Sequence, residues 1–120
     1  MQGENRKPDF KGHWNDPTGP VEFSYFDFFI ESTIDNIHGK LIAGYITDVF
    51  GDAVFSGYMD SRKITFTKMY SEQTRMNTGA AQCEIFYEGS IRGSEFSGRF
   101  RLVCGEDGVG HGGTFEMHPA

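Results

Sequence analysis

Two cysteines, four prolines and a single tryptophan among 120 residues set the first limits. Two cysteines are too few for the disulfide framework of a small secreted scaffold, so a cytoplasmic location is the expectation. No run approaches the roughly 18 apolar residues of a membrane helix. The opening Met1-Gln2-Gly3-Glu4-Asn5-Arg6-Lys7-Pro8 is polar and lacks the apolar stretch of a secretory signal. Basic runs are missing too, and the net charge is −6, which argues against binding a phosphate backbone. Neither nucleic acid nor a membrane is therefore expected as a partner. No stretch carries a convincing helical period of apolar residues, which leaves strands as the dominant element.

What the chain has in quantity is phenylalanine and glycine, twelve and sixteen residues respectively. They meet in one recurring pattern, apolar-x-Gly-x-apolar. It occurs at Phe10-Lys11-Gly12-His13-Trp14, Ile42-Ala43-Gly44-Tyr45-Ile46, Phe55-Ser56-Gly57-Tyr58-Met59, Tyr87-Glu88-Gly89-Ser90-Ile91 and Phe96-Ser97-Gly98-Arg99-Phe100. A truncated copy stands at Gly113-Thr114-Phe115-Glu116-Met117. Alternation of this kind places every second side chain on one face of a strand, and a glycine on the buried face marks curvature or close approach. The pattern predicts an all-β chain, a single eight-stranded antiparallel up-and-down barrel over residues 9–120, preceded by a flexible arm over 1–8.

The strands are expected at about Asp9–Asn15, Val21–Glu31, Lys40–Asp48, Ala53–Met59, Arg62–Tyr70, Gln82–Ile91, Phe96–Cys104 and Gly113–His118. Residues 71–81 have room for one helical turn, but Gly79 and the polar composition favour a loop. Matching glycine to glycine sets Gly44 opposite Gly57 and Gly89 opposite Gly98, each pair leaving a four-residue loop. Closure sets Gly12 opposite Phe115, with Lys11 facing Glu116 on the outside.

Phe10-Lys11-Gly12-His13-Trp14 resembles the Gly-x-Trp first strand of calycins, the superfamily of lipocalins, fatty-acid-binding proteins and avidins. Length, meander and the following Asn15 are similar to streptavidin and avidin in particular. A second resemblance, to small uncharacterised barrel domains, rests on Gly44-x3-Asp48-x2-Gly51, Ile64-x-Phe66-x-Lys68-x-Tyr70, Tyr87-x-Gly89 and Gly113-x-Phe115-x-Met117. The calycin resemblance implies a barrel with a tryptophan packed over one end. Biotin does not carry over, because the serine, tyrosine and aspartate that hold its ureido group have no matching positions here.

Lys68 is the anomaly in the pattern. Alternation along Ile64-Phe66-Lys68-Tyr70 turns it inward, and a buried ammonium must be paired, neutralised or near a barrel mouth. The strand registers set Lys68 opposite Phe55 and Tyr70 opposite Ala53, so Asp48 and Tyr70 fall at the same end, with Trp14 and the longer loops 15–21, 71–82 and 105–112. Trp14, Asp48, Lys68 and Tyr70 are thus the candidate ligand-binding set, for a small apolar or amphipathic molecule. The alternative is a structural Asp48–Lys68 bridge that caps the core.

Cys83 and Cys104 fall opposite each other in the Gly89–Gly98 register, either as a cross-strand disulfide or as a pair of small apolar residues. The four histidines lack ligand spacing, and the Gly105–Gly113 loop, with two carboxylates and His111, has no repeated ligand motif. No metal and no cofactor is expected. No nucleophile–base constellation can be assembled, so no catalytic residue is assigned, and an enzyme acting through Asp48, Lys68 and Tyr70 is the least favoured reading. Phe23, Tyr25, Phe29, Tyr45 and Tyr58 are expected on the outer face, as a homodimer or partner surface, or as a face covered by the N-terminal arm or a long loop.

Overall fold

The computed structural model describes residues 6–103 and 112–120. Eight strands, β1 (Phe10–Asn15), β2 (Phe23–Asp35), β3 (Lys40–Asp48), β4 (Gly51–Met59), β5 (Lys63–Tyr70), β6 (Glu84–Arg92), β7 (Glu95–Val103) and β8 (Gly112–Pro119), close into one antiparallel barrel. Each strand pairs with its neighbours in the chain, and β8 returns to β1. Inward positions alternate with outward ones as the sequence pattern requires. The interior is filled by rings: Phe28 stacks on Phe55 at 4.2 Å and Phe66 on Tyr87 at 4.5 Å, and Phe115 meets both Phe66 and Tyr87 edge-on.

Two registers agree with the sequence reading and two do not. β6 and β7 pair Gly89 with Gly98, although the strands run on to Arg92 and Glu95 and leave a shorter turn. Phe55 faces Lys68 and Ala53 faces Tyr70, as expected. Between β3 and β4, however, Gly44 faces Phe55 and Ile42 faces Gly57, a slip of two positions from glycine-on-glycine. The seam slips likewise: Gly12 faces Met117, Trp14 faces Phe115, and Lys11 faces His118 while bonding across to Asp27 at 3.1 Å. The reason is steric. A narrow barrel fills best when a large inward side chain lies beside an empty position on the next strand. Gly12 sits between Phe26 and Met117, and Gly44 lies beside Phe55. Gly89–Gly98 is the exception because Phe115 leans over both; a Cβ on Gly98 would run into the Glu88 carbonyl.

Two further elements differ from expectation. β2 runs on to Asp35 through an irregularity at Glu31, between the pairs Ile30–Gly44 and Ser32–Ala43. The extra residue reverses the facing, so Thr33 takes the inward parity and Ile34 stands exposed. Residues 71–81, read as loop, contain a helix, α1 (Glu72–Asn77). Ser71 caps it, its Oγ accepting from the Thr74 amide at 3.1 Å, and no residue of α1 is buried. A helix without an apolar stripe has no periodicity to read.

Candidate functional site

The cluster around Lys68 is built from four strands at one end of the barrel. Asp48 ends β3 and its side chain is fully buried, as is that of Lys68 on β5. One carboxylate oxygen of Asp48, Oδ2, accepts from Lys68 Nζ at 2.8 Å, from the Tyr70 hydroxyl at 2.5 Å and from Trp14 Nε1 at 3.1 Å. The other oxygen accepts from the Phe50 amide at 2.9 Å. That last bond folds the turn after β3, which Gly51 completes at φ +129°. The turn sets Phe50 over the barrel end, with its ring stacked on Trp14 at 6.2 Å and edge-on to Tyr70 at 5.7 Å.

Lys68 also donates to the hydroxyls of Tyr70 at 2.9 Å and Tyr87 at 3.4 Å, and its ammonium lies 4.5 Å from the centre of the Tyr70 ring. Burial lowers the Lys68 pKa, with Asp48 opposing that shift. Burial is also the main cause that raises the Tyr70 and Tyr87 hydroxyls well above their ordinary value, assisted by the Asp48 charge. Both phenols are therefore neutral at physiological pH. The ion pair is fully bonded, which is the condition under which a buried pair survives desolvation.

Above this cluster lies a cavity of about 130 Å³. Rings of Trp14, Phe50, Tyr70, Tyr87 and Phe100 form much of its wall, and Ile85 and Leu102 extend it. Its rim comes from the segments between strands, through Asp16, Pro20, Gly79 and Ala81.

Of the four candidate ligand residues, the structure brings all into one cluster but divides them by role. Trp14 and Tyr70 line the cavity; Asp48 and Lys68 lie outside its wall and act on it through the tyrosines. Of the other lining residues, Tyr87 carries in the sequence only the inward parity of its strand, and Phe50 and Asp16 fall in the connections between strands. The signal for Phe50 is a large ring in the short connection Val49-Phe50-Gly51-Asp52.

The outer aromatic set is less uniform than expected. Tyr25 is 75% exposed and Phe23 43%, while Tyr45 and Tyr58 are half-buried. Phe29 is not exposed. It is 8% accessible because Tyr45 stacks on it at 4.5 Å and the Arg6 guanidinium covers it at 5.7 Å. Asp27, paired with Lys11, stands between Tyr25 and Phe29 on the outer face, so the patch is interrupted by an ion pair. Cys83 is half-buried against the core, and no cysteine is free among the described residues. Cys104, the Gly105–Gly113 loop as far as His111, and residues 1–5 of the arm lie outside the described residues. Among the described residues no three metal-ligating side chains converge. No family profile, curated protein or solved structure matches this chain.

Proposed function

We propose that this protein is a non-enzymatic barrel that binds one small, largely apolar molecule in the cavity over Trp14 and Tyr70. The cavity itself carries this reading. Its volume, about 130 Å³, is close to that of apolar cavities known to admit a benzene ring, about 150 Å³. Aromatic walls with a few fixed polar groups are the usual make-up of small-molecule sites. The Gly12-x-Trp14 resemblance to calycins supports the same reading, since small-molecule binding inside the barrel is common to those families.

The test uses the single tryptophan. Titration with benzene, toluene or indole should give saturable shifts of the Trp14 indole N–H resonance, with a matching rise in melting temperature. Ala81→Phe, which adds a ring at the rim, should abolish both. No shift for any of the three probes up to millimolar concentration would exclude the reading.

A second reading, a homodimer or adaptor surface, rests on Tyr25 and Phe23, whose exposed rings pack edge-on at 5.0 Å. Sedimentation velocity at high protein concentration decides it, with Tyr25→Ser as the control.

A further inference from the structure

One polar hydrogen at the cavity has no acceptor among the described residues. Tyr87 is 3% exposed and lines the cavity, and its oxygen accepts a long bond from Lys68 at 3.4 Å. An ammonium offers no lone pair, so the Tyr87 O–H cannot donate back. No described residue accepts it. The neighbouring phenol differs, because Tyr70 passes its hydrogen to Asp48 at 2.5 Å. A buried donor without a partner is costly, and the cavity that Tyr87 lines is where an acceptor for its hydroxyl can enter.

The charges around that donor are already spent on each other. Lys68 directs its hydrogens at Asp48, Tyr70 and Tyr87, and its charge is met by Asp48 at 2.8 Å. Neither member of the pair lines the cavity. An anionic ligand would lose its water and find a neutral phenol in exchange.

Building on the reading of the cavity as a binding site, we propose that its ligand is a neutral, ring-sized molecule with a hydrogen-bond acceptor, of the aryl ketone or aryl ether class. Tyr87 is the specificity-determining residue: its O–H donates to that acceptor, and carboxylates of equal size are rejected. Lys68 is a positioning residue that holds the Tyr87 oxygen and so aims its hydrogen.

Acetophenone, benzoate and toluene, titrated separately against the full chain and followed at the Trp14 indole N–H, test this. Acetophenone should bind at least about tenfold more tightly than benzoate. Tyr87→Phe should weaken acetophenone about five- to tenfold and leave toluene unchanged, the mark of a lost hydrogen bond and not of lost packing. Benzoate binding as tightly as acetophenone overturns the proposal and needs no variant to reveal it. Equal losses for acetophenone and toluene in Tyr87→Phe overturn it as well. Toluene binding without any preference for acetophenone leaves the binding site standing and removes the acceptor rule. Silence from all three probes removes both.

Discussion

The two ends of the barrel satisfy their aspartates in opposite ways. At the end with tight turns, Asp60 accepts from the amides of Arg62 and Lys63 at 2.7 and 2.9 Å, partners within three residues of it. Those bonds hold its carboxyl below the usual range. Asn36 does the same for His38 and Gly39. The core beneath is covered by Phe10, edge-on to both Phe28 and Phe96, with Met59 and Ile91 also packed on the core. At the other end, Asp48 keeps one local bond, from the Phe50 amide, and adds Trp14, Lys68 and Tyr70, between 20 and 34 positions away in the chain. A local solution leaves a short turn and a closed end. A long-range solution fixes side chains of several strands in one geometry and leaves room above them.

The largest test of this contrast sets Asp48→Ala against Phe28→Ala. Each should cost about 3–5 kcal/mol in urea unfolding, the first by stranding a buried ammonium and the second by opening a cavity. They should part on rescue. Adding Lys68→Met to Asp48→Ala should recover most of the loss, whereas no single substitution refills the Phe28 site. If the double variant is as unstable as Asp48→Ala, the cluster is not acting as an ion pair.

Alkaline pH gives a smaller effect confined to the cavity end. The folded pKa values of Tyr70 and Tyr87 lie above the unfolded value near 10, so their contribution is complete below pH 10 and is lost as pH rises beyond it. Lys68, lowered in the folded state, acts with the opposite sign and favours the fold as pH rises toward 10.5. Two groups outweigh one. Stability should fall above about pH 10 by up to about 1.4 kcal/mol per pH unit per tyrosine. Tyr70→Phe or Tyr87→Phe should flatten the fall, which pH-dependent unfolding curves will record.

The smallest test concerns α1, which stands beside the cavity-end turn with Thr74 against Gly51. Ser71→Ala removes its cap and should cost about 1 kcal/mol. Amide exchange should quicken in Glu72–Asn77 and stay unchanged in the Asp60 turn at the far end. Equal quickening at both ends would mean that the two ends are not independent.

The same contrast explains how much was legible in the sequence. Period-two alternation gives the facing of every strand, so Lys68, Asp48, Tyr70 and Trp14 could be gathered at one end from spacing alone. It does not distinguish registers two apart, because both keep the same faces inward. That is why β3–β4 and the seam slipped while the short β4–β5 connection did not. The cavity was less legible than the ion pair beneath it. Its wall uses Phe50 from a turn, and its rim uses Asp16 and Ala81 from connecting segments whose positions follow from tertiary packing. The hydrogen-bond role of Tyr87 depends on where Tyr70 sends its own hydrogen, a fact of angles and distances.

β2 runs well past the end of its pairing with β1. β1 pairs with β2 only as far as Phe10–Phe28, so the last stretch of β2 has β3 on one side and, among the described residues, no strand on the other. An open stretch of backbone is a template on which a second chain can add a strand. Here its first groups are already taken: Asp9 accepts the Ile30 amide at 2.7 Å, and Arg6 donates to the Ile30 carbonyl. Two side chains stand in for the missing strand, and the carboxylates of Glu31 and Asp35 mark the remainder with like charge. Replacing Arg6 and Asp9 together would turn a guarded border into an adhesive one.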